Sequence, residues 1–265
     1  MENSDSSPEF KLNWLNLVSI LRSVSHVGTA QWQYVLPKKS KRRVLDPIDA
    51  FMSRAILMAS DMTSMQINSK SPKAKMFLSD SRDAKEILPN SVDLVITSPP
   101  YANNYDYADA MRLEMSFFGE IEGWKDLHEK ARKYLICSCT QHAVKTSNNW
   151  RELIAKKELQ SIRMEILEVC QELEKIRFNF GGKKDYHRMI AAYFYDMSKV
   201  WLDLRRICKK RSKLCFVIGN SAPYGVYVPV EKWLGELALA AGFKSYSFEK
   251  YRDRNIKWKT RKHTI

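Results

Sequence analysis

The stretch that most constrains this chain is V-D-L-V-I-T-S-P-P-Y, Val92 to Tyr101. Val92–Thr97 is largely apolar on both alternating faces, the pattern of a strand in a parallel sheet that is covered on both sides. Two consecutive prolines then remove two backbone donors and fix φ, so the hydrogen-bonded ladder has to stop there. Ser98, Pro99, Pro100 and Tyr101 thereby fall at the carboxyl end of a strand, where open α/β sheets collect their ligands.

The surrounding sequence predicts an α/β fold. K-M-F-L-S-D, Lys75 to Asp80, reads as a short strand ending in a carboxylate, and Arg82–Pro89 as a short helical turn. With Val92–Thr97 they give the strand–helix–strand rhythm. Residues 1–75 form a mixed N-terminal segment with an apolar run at Lys11–Val24 and a helix over Asp49–Met62 that starts near Asp46-Pro47. Residues 76–265 form the second region, with a helical insert at about 106–184. Within the insert, Arg151–Ile176 has one apolar face and alternating charge elsewhere, so it predicts an amphipathic helix. A loop at Phe178–Asp185 offers Asp185 as the cap of a long helix, Tyr186–Ile207. A third buried strand is expected at Lys213–Asn220, a helix at Val228–Phe243 stopped by Gly242, and a more exposed strand at Lys244–Tyr251.

Composition narrows the partners. With 45% hydrophobic and 28% charged residues the chain is neither disordered nor fibrous. The 44 Lys and Arg against 30 Asp and Glu give a formal charge of +14, a field that favours polyanions, nucleic acid first. The polar, acidic N-terminus is no signal peptide, and no apolar run approaches the roughly 20 residues that span a bilayer. Five cysteines at irregular spacing point to reduced thiols in a cytoplasm. Cys137 and Cys139 with His142, and His128 further off, lack the usual zinc spacing, so no metal is expected. Lys250–His263 interleaves Tyr251 and Trp258 with seven basic residues. Arg252, Arg254, Lys257, Trp258, Lys259, Arg261 and Lys262 are therefore the candidate contacts to nucleic-acid phosphates and bases.

The Ser-Pro-Pro-Tyr turn is suited to a flat ring that carries an amine. Rigid backbone carbonyls and the Ser98 hydroxyl can accept from the two amine hydrogens, and Tyr101 can stack on the ring. An exocyclic amine of cytosine or adenine is a poor nucleophile because its lone pair is delocalised. Two acceptors gripping its hydrogens favour the pyramidal form that localises the pair, which stabilises the transition state selectively. A base so held has left the duplex.

T-S-P-P-Y after V-D-L-V-I resembles the catalytic motif of the DNA amino-methyltransferases, [D/N/S]-P-P-[Y/F/W] at the end of a sheet strand. The serine form is most similar to the N4-cytosine members and is shared by some N6-adenine enzymes. The likeness covers roughly Met76 to Lys262, including L-S-D-S-R-D at Leu78–Asp83 and F-V-I-G-N at Phe216–Asn220. It implies a partial Rossmann-like, S-adenosyl-L-methionine-dependent methyltransferase sheet with a helical insert that reads double-stranded DNA. It also implies catalytic roles for Ser98, Pro99, Pro100 and Tyr101, and contacts to the methyl donor by Asp80 and Thr97. The expected reaction is methyl transfer to the N4 amine of a flipped cytosine. The N6 amine of adenine, or a catalytically incomplete nucleic-acid-binding subunit, is the alternative.

One expected feature is missing. The family's glycine-rich F-x-G-x-G turn binds the methyl donor, yet no G-x-G occurs in the sequence. V-L-D-P-I-D-A-F, Val44 to Phe51, begins like that motif but puts Asp49 and Ala50 where glycines belong. Three accounts fit: a second chain that carries the glycine turn, a truncated remnant, or another mode of donor binding. The first is the leading expectation.

Overall fold

The computed structural model describes residues 7–26, 43–68, 73–146, 149–180 and 184–250. Residues divide into two units, Met1–Met76 with Asp109–Trp124, and Phe77–Ala108 with Lys125–Ile265.

In the first unit, α1 (Pro8–Val24) starts where the Ser7 hydroxyl accepts from the Phe10 amide and Pro8 occupies the first turn. Its partner α2 (Pro47–Asn68) begins where the Asp46 carboxylate accepts from the Ile48 and Asp49 amides, at 2.9 and 3.0 Å. The sequence places that start correctly because Asp-Pro is both a cap and a first turn. The buried Asn16 amide donates to the Phe51 carbonyl at 3.1 Å and locks the two helices together. A mostly apolar cavity of about 620 Å³ lies in this unit, bounded by Phe10, Trp14, Leu17, Phe51 and Phe118, with Lys11 and Glu120 among its polar margins.

The second unit is mostly helical around a small parallel sheet. Strand β1 (Val92–Thr97) leads through the elbow to short helices α3 (Tyr107–Ala110), α4 (Arg112–Phe117, in the first unit), α5 (Trp124–Lys130), α6 (Thr140–Thr146) and α7 (Trp150–Ala155). Next come α8 (Arg163–Ile176), α9 (Tyr186–Ile207), strand β2 (Cys208–Phe216) and α10 (Val230–Ala240). The long α9 is the axis of the core: α6, α7, α8 and α10 all pack on it. Its buried side chains include Met189, Ile190, Tyr193, Phe194 and Met197, and Phe194 meets Trp233 of α10 edge-on at 5.0 Å. Two indoles at this boundary are paired. The Trp233 indole donates to Glu165 at 2.8 Å, and the Trp150 indole donates to Glu174 at 3.1 Å.

The sheet has two strands among the described residues, β1 and β2, running parallel. Leu94 lies opposite Lys213, Val95 opposite Leu214, Ile96 opposite Cys215 and Thr97 opposite Phe216. A register shift between Val92 and Leu94 coincides with a positive φ of 68° at Arg211. The ladder is extended by Asn90 and Ser91, whose amides donate to the Arg206 and Ile207 carbonyls. One face packs on the core through Leu214 and Phe216, and Trp201 stacks on Phe216 at 4.5 Å.

Several expected elements differ. Lys75–Asp80 is not a strand, for no neighbouring strand pairs with it among the described residues; Leu78 is fully exposed. Lys244–Lys250 is not one either: Tyr246 turns onto Gly235 of α10 and its hydroxyl donates to Glu236 at 2.8 Å, so side chains rather than a ladder hold the segment. Arg82–Pro89 forms successive turns instead of a helix, closed by amides of Asp83 on the Asp80 carbonyl and of Ile87 on that of Ala84. The third strand starts at Cys208, directly after α9, and is half exposed rather than buried. The single helix expected over Arg151–Ile176 breaks at Lys156, whose backbone is extended. The Arg163 guanidinium donates to the carbonyls of Ile154, Ala155 and Lys156, capping the end of α7 and stabilising the break. Asp185 does precede α9, but its carboxylate pairs with Arg177 instead of capping the helix. Gly181, Gly182 and Lys183 lie outside the described residues, as does the basic tail 251–265. No helix among the described residues is long and apolar enough to cross a membrane.

Candidate active site at the Ser-Pro-Pro-Tyr elbow

The strand β1 ends as the prolines dictate. The Thr97 carbonyl accepts the last ladder bond, from the Val217 amide at 2.9 Å. The Ser98 hydroxyl then donates to the Val217 carbonyl at 3.2 Å. With its hydrogen committed to that carbonyl, the exposed Ser98 oxygen keeps lone pairs for an incoming donor. Pro99 is buried, Pro100 and Tyr101 are half-buried, and Ala102 is fully buried in the core. The elbow is therefore anchored beneath and open at Ser98.

A set of polar bonds fixes the loop that follows. The Tyr101 amide donates to the Tyr107 hydroxyl at 3.4 Å, and its carbonyl accepts from the Asn103 amide at 2.8 Å. Asn104 takes a positive φ of 64°, tolerable for asparagine, and its side-chain oxygen accepts from the Thr140 amide at 2.9 Å. The Tyr105 carbonyl accepts from the Ser138 hydroxyl at 3.0 Å. Asp106 accepts two bonds from the Arg132 guanidinium into one oxygen, at 2.7 and 3.0 Å, while its other oxygen caps α3 through the Ala108 amide. Such multiple pinning holds carbonyls and ring in place before any ligand arrives.

Three aromatic hydroxyls gather here. Tyr105 and Tyr107 meet edge-on with centroids 4.6 Å apart. Burial raises the Tyr107 phenol above its usual range. Tyr193 of α9 is wholly buried; burial, then Tyr107 and Tyr101, pushes its phenol up, and its hydroxyl has no hydrogen-bond partner among the described residues. The pins Asp106, Tyr107, Arg132, Ser138 and Thr140, and Tyr193 beneath, were not singled out from sequence. Asp106 and Tyr107 stand within a few residues of the elbow and could have been; the others come near it only by folding.

Asp80 lies in a turn and is bound by Arg82, with the closest contact 2.7 Å. The hydrogen bonds from Arg82 hold its carboxyl below the usual carboxylate range. Arg82 also pairs with Asp196 at 3.0 Å and donates to the Tyr134 carbonyl, while Asp196 accepts from the Cys137 amide. Thr97 occupies the final position of β1, opposite Phe216. Arg252, Arg254, Lys257, Trp258, Lys259, Arg261 and Lys262 are outside the described residues. Cys137 and Cys139 are buried, and burial lifts the Cys139 thiol to about 12 and the Cys137 thiol well above its usual value. Burial pushes His142 down to about 4. No group of three or more metal-ligating side chains occurs among the described residues.

Comparison with known proteins gives relatives. The chain is 32% identical over 152 residues to the type II methyltransferase M.AvaI of Nostoc sp., and equally to M.AvaI of Anabaena variabilis; the match covers 57% of this chain and 30% of the relative. It is 29% identical over 164 residues to the type II methyltransferase M.BsoBI of Geobacillus stearothermophilus, over 58% of this chain and 32% of that protein. The chain thus spans about a third of the length of these curated relatives. No family model and no solved structure matches. Over its aligned part the chain is thus similar to type II DNA methyltransferases.

Proposed function

We propose that the elbow is the amine-gripping site of a site-specific DNA methyltransferase, or of its catalytic part, acting on the N4 amine of a flipped cytosine. The observation that carries this reading is the Ser98 hydroxyl, whose hydrogen is committed to the Val217 carbonyl at the open end of β1. Its oxygen and the Pro99 carbonyl accept the two amine hydrogens, and Tyr101 stacks on the ring. The grip favours the pyramidal amine and so localises its lone pair for attack on an electrophilic methyl group; the proton that the nitrogen gives up would pass to solvent at the exposed Ser98 end. No cysteine nucleophile is called for, in keeping with the buried, protonated thiols of Cys137, Cys139 and Cys170. The basic tail, Arg252 to Lys262, supplies phosphate contacts to double-stranded DNA.

S-adenosyl-L-methionine, when bound, supplies an electrophilic methyl group. The residues present fit only one side of it: Asp80 offers a carboxylate and Thr97 a position at the strand end. With Arg82 occupying Asp80 and no G-x-G in the chain, no complete cradle is formed here. That shortfall favours a second reading, in which the chain is a DNA-binding subunit that transfers no methyl group by itself.

Labelled methyl incorporation into duplex DNA separates the readings, measured with the chain alone and with the products of neighbouring reading frames. Ser98→Ala is expected to lower incorporation about 100-fold or more while duplex binding holds, the usual size for losing one oriented polar contact, and Pro100→Ala and Tyr101→Ala are expected to lower it through a looser backbone and a lost stacking face. Unchanged incorporation in all three overturns the assignment. Comparing cytosine-only with adenine-only target strands decides between N4 and N6.

A further inference from the structure

The segment that leaves β2 turns back on itself, closed by an antiparallel bridge between Ser221 and Val228. Within that turn Tyr224 has a φ of 53°, in the left-handed region that suits glycine or asparagine and in which a tyrosine is rare. Strain of this kind persists only where the surroundings hold it. Here rings hold it. Phe180 stacks on Tyr224 with centroids 4.5 Å apart and planes 11° from parallel, and Tyr186, the first residue of α9, meets Tyr224 edge-on at 4.7 Å. The Tyr224 hydroxyl also accepts from the Lys184 backbone. The stack ends in solvent: Phe180 is 46% exposed, and Phe178 beside it 75%, with the Arg177 guanidinium 4.9 Å from its centroid. Cations border the rings. Arg177 and Arg188 share the buried Asp185 carboxylate, and each has an Nε without a hydrogen-bond partner among the described residues. Lys184 lies 5.9 Å from the Tyr186 ring and has no acidic partner among the described residues, so the patch is net positive.

Resting on the methyltransferase reading above, we infer that Phe180, braced by Tyr224, is a platform that stacks a second, unpaired base of the DNA, while Lys184 and Arg177 contact its phosphates. Three observations define this occupant. A flat ring laid on the open face of Phe180 continues a stack that is already built, and every base has such a face. The bordering cations suit a polyanion, which an apolar peptide side chain is not. The third is position. Because β1 and β2 are parallel they end at one sheet edge, where Ser98 donates to the Val217 carbonyl. Tyr224 follows Val217 by seven residues and so lies at most about 25 Å from it. At 3.4 Å per nucleotide along one strand, that is about seven nucleotides. The platform therefore takes a base within about seven nucleotides of the one that Tyr101 stacks. Being braced before any DNA arrives, it binds with little ordering cost.

The full chain is titrated against three end-labelled probes, read by fluorescence anisotropy: a mixed-sequence single DNA strand, the same strand with abasic sites in place of its nucleotides, and an RNA of the same sequence. Phe180→Ala is expected to weaken binding of the DNA strand about tenfold, the usual size for one stacked base, and to leave binding of the abasic strand unchanged. Phe180→Trp restores the affinity. Lys184→Gln lowers the slope of log affinity against log salt by about 0.7, one phosphate contact on a single strand. Bromodeoxyuridine in the DNA strand photocrosslinks to Phe178, Phe180 or Tyr224, located by mass spectrometry. Equal affinity of Phe180→Ala and the parent chain for the DNA strand overturns the inference. So does an equal loss on the abasic strand, which makes the ring a structural brace, or tighter binding of the RNA, which changes the partner. Stacking on Phe180 with no methyl incorporation keeps the platform and refutes the proposed function; incorporation without any effect of Phe180→Ala on DNA binding does the reverse.

Discussion

The pair Asp106–Arg132 is what most directly ties the elbow to the helical body, and replacing Arg132 by Met tests that. The side chains are 13% and 6% exposed, and the shortest of their bonds is 2.7 Å. At about 4 Å and an effective dielectric of roughly 20, two unit charges attract by about 4 kcal/mol. Removing one partner of a buried pair costs about 3–5 kcal/mol, because the remaining carboxylate keeps its desolvation penalty. Arg132→Met keeps most of the stem volume, so the loss is electrostatic. Urea unfolding of the full chain is expected to show a destabilisation of about 3 kcal/mol or more, and the cycle with Asp106→Asn and the double variant a coupling above about 1 kcal/mol. Being buried, the coupling should persist at about 1 M salt, where surface pairs are screened. A loss below about 1 kcal/mol, or a coupling that vanishes in salt, refutes the account of a pinned elbow. In methyl transfer the variant should fall further than its folded fraction alone accounts for, since the strand end would keep its place while the loop after Tyr101 loosens.

Two other expectations can be checked on the same material. His142 and His187 are buried and held neutral, with pKa values pushed from 6.5 to about 4 chiefly by burial, so the unfolded chain binds more protons between those values. Stability should be level above about pH 6.5 and fall as pH drops toward 4; urea midpoints across that range should slope less in His187→Gln, and an unchanged slope in that variant contradicts the assignment. Gly235→Ala would place a Cβ 2.7 Å from the Tyr246 ring, so Tyr246 must leave α10 and lose its bond to Glu236. Its phenol, raised first by that bond, should titrate lower in the variant by ultraviolet difference spectroscopy; an unshifted titration means the ring did not move.

Local physics was enough for the parts that depend on neighbours in sequence. Pro99 and Pro100 end a ladder wherever they occur, Asp46-Pro47 starts a helix by its own cap, and Tyr186–Ile207 is long and periodic enough to be helical in any context. The Ser-Pro-Pro-Tyr elbow and its chemistry are legible for the same reason. Strands are different, because a strand exists only if another pairs with it. Lys75–Asp80 and Lys244–Tyr251 have strand-like composition, yet across the described residues of those runs no ladder forms. Pairing partners far apart in the chain also escaped the sequence: Arg132 with Asp106 is 26 residues distant, and the Val217 carbonyl that orients Ser98 is 119 away. The sequence by itself determined which residues could grip an amine. Only the tertiary structure decided that Ser98 presents its lone pairs and that Arg82, bound to its neighbour Asp80, also reaches Asp196, since the Val217 carbonyl and Asp196 lie 119 and 114 residues away and no local pattern encodes such contacts.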